Sequence, residues 1–236
     1  MALYLEKELF SIRNVALIFA IQAVTMSILE IPTGAFADLF GRKKAYVSAV
    51  LIYILSLVFL YIGGSMIMFI LFAVLSATGM ALKSGTDSSI IFDTLKQENK
   101  EKEYKRVMSI LYALWPLGAI LGSVAGGYFA KFSLRLPILL SFIPFMIALI
   151  LSFFIKEPKY RKEEHKNIFK QMWNSSKTVF QSRQLLLLMA AGFIMLAFGE
   201  TAHNLKPIFF EFKNIPIEYF GFVFGVTFAF SSLVHY

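Results

Sequence analysis

Of 236 residues, 58% are hydrophobic and only 16% are charged, with a mean hydropathy of +0.68. An average soluble domain is about half apolar and about a quarter charged, so a soluble enzyme, a nucleic-acid binder and a disulfide-stapled secreted domain are excluded as main readings; cysteine is absent. The net charge of +8 belongs, in a chain this apolar, to cytoplasmic loops rather than to a nucleic-acid surface.

The opening stretch, MALYLEKELF, lacks the basic region, apolar stretch and small-residue cleavage site of a signal peptide. Seven runs long enough to cross about 30 Å of hydrocarbon as helix then follow, at 14–37, 45–64, 66–92, 107–130, 136–155, 185–210 and 219–236. The fold class is therefore all-α integral membrane. The second run carries no charge, whereas the third holds Lys83 and Asp87. Sixteen basic residues fall in the first, third and fifth connections, from Arg42, Lys43 and Lys44 through Lys96–Arg106 to Lys156–Arg183. Six lie on the opposite side: Lys7, Arg13, Lys131, Arg135, Lys206 and Lys213. That bias places the first set in the cytoplasm.

Three regions are expected: a first bundle at 1–155, a cytoplasmic linker at 156–184, and the start of a second bundle at 185–236. Within the linker, Ile168, Phe169, Met172, Trp173, Val179 and Phe180 recur at helical spacing between Lys166, Lys170 and Lys177. This pattern predicts an amphipathic helix on the anionic membrane surface, so membrane lipid is an expected partner. A faint repeat at an offset of 205 sets Glu6, Ile12 and Phe19 against Glu211, Ile217 and Phe224, and Ala16 and Ala20 against Gly221 and Gly225. Internal symmetry of this kind marks secondary transporters. The repeat is cut at both ends, so the chain is expected to be a fragment lacking half of its own fold.

The first two spans are joined by Gly34-Ala-Phe-Ala-Asp38-Leu-Phe-Gly41-Arg42-Lys43-Lys44. This resembles the signature loop of the major facilitator superfamily, G-x-L-A-D-x-x-G-R-[KR]-x, with Phe36 in the leucine place. On this reading Gly34 permits close helix contact, Gly41 a tight turn, and Arg42 and Lys43 stay at headgroup level. The resemblance implies that Asp38 is the gating carboxylate, facing a helix N-terminus of the other half. It extends along the chain, which looks like helices two to seven and part of eight. Gly118, Gly122, Gly126 and Gly127 resemble the antiporter motif of the fifth helix, although Ser123 stands where a proline is expected; their other reading is tight helix packing.

Ionisable groups inside spans tend to face the bundle interior. Lys83 and Asp87, four apart, share a helical face and can pair, either as a coupling site with Asp87 exchanging the proton or as a neutral structural pair. Glu30 and Asp93 are expected in a structural or gating network at the cytoplasmic ends of neighbouring spans. Glu200 and His203, three apart in the sixth span, could carry a proton. Gln22 and Thr25 are possible cavity hydrogen-bonders. No phosphate loop, metalloprotease motif or nucleophile elbow is present, and neither a cofactor nor a metal is expected. The sequence reads as a non-enzymatic carrier in the plasma membrane, moving a small-molecule substrate by alternating access, with proton-coupled efflux as the favoured mode. The alternative is a truncated, transport-inactive remnant or membrane scaffold.

Overall fold

A computed structural model describes residues 1–9, 11–158 and 181–234, and among these every regular element is helical. In chain order they are α1 (Ala2–Leu9), α2 (Ile12–Phe40), α3 (Arg42–Ile62), α4 (Met66–Lys83), α5 (Thr86–Gln97), α6 (Tyr104–Ala130), α7 (Leu136–Phe154), α8 (Arg183–Phe212) and α9 (Glu218–Val234). A 3-10 turn at Glu101–Glu103 leads into α6. Helices are what such a sequence must form, because hydrocarbon offers the backbone no hydrogen-bond partner. Five helical stretches among the described residues are long and apolar enough to cross a membrane: Ile12–Glu30, Arg42–Ile62, Met66–Gln97, Glu101–Ala130 and Leu136–Phe154. They coincide with the first five expected spans, and α8 and α9 occupy the sixth and seventh stretches. The amphipathic helix expected around Ile168–Phe180 lies outside the described residues.

Two boundaries differ from the expectation. The first span, expected at 14–37, continues as helix to Phe40, and Gly41 alone, at φ 107°, separates α2 from α3. The third span is not one helix. It breaks at Ser84-Gly85, where Gly85 takes a left-handed conformation (φ 73°), and resumes as α5. Lys83 and Asp87 therefore flank a break rather than share a continuous face.

The packing is set by small residues. Helix α4 lies between α2 and α3, and α3 packs on α7 with its other side. Ala45, Ala49 and Ser56 of α3 and Ala73, Ser76, Ala77 and Ala81 of α4 are fully or almost fully buried, so the two backbones come close, as small-residue stripes allow in membranes. At Gly79 a Cβ would lie 2.9 Å from the Ala49 carbonyl oxygen and 3.2 Å from the Tyr53 nitrogen. The apolar cluster beside this seam joins Leu5, Val15, Ile18, Leu57, Leu60, Phe69, Phe72 and Ile138, and Tyr53 stacks on Phe145 of α7 at 4.5 Å. Gln22 serves this packing too, donating to the Ser76 hydroxyl of α4 at 2.9 Å.

Helix α1, which the hydropathy reading does not mark, is a short strut. It buries Ala2, Leu3, Tyr4 and Leu5 and sets Tyr4 edge-on to Phe69. Its Glu8 accepts hydrogen bonds from the Arg135 guanidinium at 2.9 Å and from the Gly64 backbone at 3.3 Å. One carboxylate thereby ties α1 to both the α3–α4 and the α6–α7 turns.

Replacing Gly79 by Leu should push α3 and α4 apart at their closest crossing and cost about 1–3 kcal/mol. A fall in the thermal midpoint of the detergent-solubilised protein, larger than for Gly34→Leu in open space on α2, is the expected measurement.

Candidate functional site

Parts of α2, α3, α5 and α7 converge on the motif, at the end of the bundle that the basic residues mark. Because Gly41 starts α3 without an intervening loop, the first backbone N–H groups of that helix have no intrahelical acceptor. Glu157, just past α7, supplies one: Oε1 accepts from the Arg42 backbone at 2.7 Å and Oε2 from the Lys43 backbone at 3.0 Å. A carboxylate there also meets the positive end of the helix dipole. The Lys43 ammonium donates to the Phe153 carbonyl at 2.7 Å, closing the last turn of α7. A Cβ at position 41 would sit 3.0 Å from both Glu157 oxygens and press on that carboxylate, and the φ of 107° itself favours glycine there.

Arg42 turns its guanidinium to Asp93 on α5, and this ion pair is mostly buried, with 18% and 12% of the two side chains exposed. Arg42 and Lys43 are thus both tied into the bundle. Asp38 lies exposed in the last turn of α2, the negative end of its own helix, where a carboxylate gains nothing from the dipole. Gly34, expected to permit close contact, faces open space: a Cβ there would meet nothing within 4 Å. An open groove of about 750 Å³ runs beside this layer, walled by Phe36, Phe40, Val47 and Phe153.

A second layer lies deeper in the span. Asp87 is six residues before Asp93 on α5, about 9 Å at helical rise. It pairs with Lys83 across the Ser84-Gly85 break, Nζ to Oδ2 at 3.4 Å, and about half of each side chain is exposed. The Ser84 hydroxyl donates to Glu30 on α2 at 3.4 Å, and the neighbouring Thr33 hydroxyl donates to the Ala81 carbonyl at 3.1 Å. Glu30 and Asp93, expected together, are therefore divided: Glu30 joins the layer of Lys83 and Asp87, Asp93 the layer of Arg42 and Glu157.

Of the four α6 glycines, Gly127 alone makes a close contact. A Cβ on it would lie 2.8 Å from the Gly221 nitrogen of α9, and one on Gly221 would collide with the Ser123 carbonyl. At Gly118, Gly122 and Gly126 a Cβ would meet nothing within 4 Å among the described residues. Glu200 and His203 fall on α8, but their side chains lie outside the described residues. Among the described residues no cluster of candidate metal ligands occurs.

Sequence reasoning missed Glu157. Its signal is faint, an acid between Lys156 and Pro158 at the head of a basic connection, and nothing in a linear reading says that it reaches back 115 residues to Arg42.

Asp93→Asn alone should leave the Arg42 guanidinium buried without its counter-charge and cost about 3 kcal/mol. The double substitution Arg42→Met with Asp93→Leu should cost less. A double-mutant cycle on thermal midpoints in detergent, with Arg42→Met, Asp93→Leu and the two combined, checks this; a combined loss equal to the sum of the two single losses would show that the pair is not coupled.

The Major Facilitator Superfamily profile matches residues 1–235. Among curated relatives, an "Uncharacterized MFS-type transporter YxaM" of Bacillus subtilis (strain 168) is 25% identical over 238 residues, covering 98% of this chain and 58% of the relative. "Multidrug resistance protein 2" of the same organism is 26% identical over 187 residues, covering 77% of this chain and 45% of the relative. The chain thus spans about half the length of these relatives. No solved structure matches it significantly.

Proposed function

This chain belongs to the major facilitator superfamily, a family of multi-pass membrane transporters, and on that footing we propose that it forms part of a plasma-membrane carrier that exports a small solute in exchange for protons. The carrier works by alternating access, with two bundles rocking around a site between them.

The observation that carries this reading is the Lys83–Asp87 pair. Two ionised groups sit within the third span, at a helix break, and neither the first bundle nor the described parts of α8 and α9 cover them. Hydrocarbon contact for such a pair is too costly to persist, so it faces a water-filled cavity or another protein surface. A carboxylate held beside an ammonium at such a place can trade its proton while the lysine holds the ionised form. Helix breaks are where transporters build such sites, because freed backbone groups are tolerated only where they line a cavity. Efflux is supported by the name of one relative, a multidrug resistance protein, and by the glycine run of α6.

The other groups take supporting roles. Arg42, Asp93 and Glu157 bind four helix ends into one rigid body, Asp38 latches that body to the second bundle, and Gly118, Gly122 and Gly126 give α6 a smooth face against which the second bundle moves. Glu200 and His203, three apart in the sequence of α8, are the second candidate for carrying a proton.

Cells expressing the protein should accumulate less ethidium, used as a lipophilic cationic probe, than cells without it. Asp87→Asn should reduce this pH-gradient-driven export about tenfold or more with unchanged membrane insertion. Gradient-driven export that survives the substitution overturns the proton role, and loss of the folded protein instead assigns the pair to structure.

A further inference from the structure

We propose that Tyr46 of α3 is the second partner of Asp87: its hydroxyl meets the carboxylate oxygen that Lys83 leaves bare, and so positions the acid for proton exchange. This rests on the proton role given to Asp87 above and deepens it.

The two oxygens of Asp87 have unlike surroundings. Oδ2 pairs with the Lys83 ammonium at 3.4 Å, whereas Oδ1 is buried and has no hydrogen-bond partner among the described residues. A buried carboxylate oxygen without a donor is strongly disfavoured. The hydroxyls beside Asp87 on its own helix are already committed: Thr86 donates to the Leu82 carbonyl at 2.7 Å and Ser88 to the Gly85 carbonyl at 3.1 Å. Glu30 on α2, which accepts from Ser84, has no hydrogen to give when ionised. Tyr104 of α6 rests edge-on against Phe92, farther along α5. The missing donor has to come from α3.

Helix α3 packs on α5, and Arg42–Asp93 joins the two at the motif end. Tyr46 lies one turn farther along α3, about 6 Å at helical rise, on the same face as Arg42. Asp87 lies about 9 Å from Asp93 in the same direction, because α3 begins at that joint and α5 approaches it. The two residues therefore stand at similar depth. Tyr46 is half-buried, and the charges that act on its hydroxyl are those of Asp87 and Lys83. A turn of the ring or a single cavity water closes the remaining gap to Oδ1. A phenol suits the place because it both donates and accepts, whereas an ammonium only donates. To the ionised acid Tyr46 donates. When Asp87 takes a proton from cavity water, the hydroxyl turns and accepts the new O–H. Tyr46 keeps its own proton throughout, and the exchanged proton returns to water. The bond to the charged form is the stronger one, so losing it favours the protonated acid.

Infrared titration can follow the carboxylic-acid C=O band of Asp87, identified by its loss in Asp87→Asn, in protein reconstituted into lipid vesicles without solute or gradient. Tyr46→Phe keeps the ring and removes only the hydroxyl. It should raise the proton affinity of Asp87 about tenfold and displace the band, with the thermal midpoint little changed. Tyr53→Phe, on the same helix but stacked on Phe145, should leave the titration and the band as they are. A titration unchanged in Tyr46→Phe, or the same shift in Tyr53→Phe, overturns the assignment. The two readings fail separately. Export lost in Asp87→Asn, with a titration indifferent to Tyr46, keeps the proton role and removes Tyr46 from it. A Tyr46-dependent titration, with gradient-driven export that survives Asp87→Asn, removes the proton role and leaves the contact.

Discussion

The carboxylate of Glu157 at the first turn of α3 is the contact from which the cytoplasmic end is built. An apolar helix entering the membrane directly from a glycine has bare N–H groups and a positive end, and no loop to cover them. Glu157 satisfies two of those groups at once, which brings the end of α7 against the start of α3. With α3 so placed, the Arg42 guanidinium reaches Asp93, and α5 is drawn in as well. Four helix ends are positioned by one acid and one arginine. The depth of Asp87, on the same α5, follows from that anchoring.

Away from the charged ends, helix association depends on how closely backbones can approach, because lipid tails compete equally well for apolar side chains. Gly79 against Ala49 sets the α3–α4 seam, and Gly127 against Gly221 sets the α6–α9 crossing. These seams differ in what surrounds them. The first is flanked by the apolar cluster of Leu57, Leu60, Phe69 and Phe72 and by the Gln22–Ser76 hydrogen bond. The second carries the edge-to-face contact of Trp115 with Phe228 and the Lys131–Glu218 pair, and Gly127 is the one buried position among the described residues of α6.

Much of this was legible in the sequence because hydrocarbon imposes a length and a composition that no other environment does. The five described spans and their orientation follow from hydropathy and from where Arg42–Lys44, Lys96–Arg106 and Lys156 fall. The breaks were less legible. A motif with two glycines and an aspartate reads as a loop, yet Gly34 and Asp38 continue the helix, because neither is forbidden there and neighbours such as Leu39 and Phe40 favour it. Conversely, Ser84-Gly85 reads as the interior of an apolar span, and only the left-handed Gly85 ends α4. The Lys83–Asp87 pairing survives this change because four residues around a one-residue turn still return to the same side. Glu157 escaped notice because its partners are backbone groups, which carry no mark in a sequence. The roles of Gly118, Gly122 and Gly126 were open between packing and function, and among the described residues no neighbour lies against them.

The ion pairs sort by burial in a way that matches their work. Arg42 and Asp93 retain only 18% and 12% of their side-chain exposure, and separating a pair so desolvated would strand a charge without water, at a cost of several kcal/mol. Such a contact is a permanent joint. Lys7–Glu211 and Lys131–Glu218 keep between 41% and 50%, and either partner can exchange the other for water at a cost of about 1 kcal/mol or less. Burial rather than position decides the kind: Lys100–Glu98 in the basic third connection is as exposed as those two pairs, and Arg135–Glu8, half exposed on the arginine side, joins α1 to the α6–α7 turn.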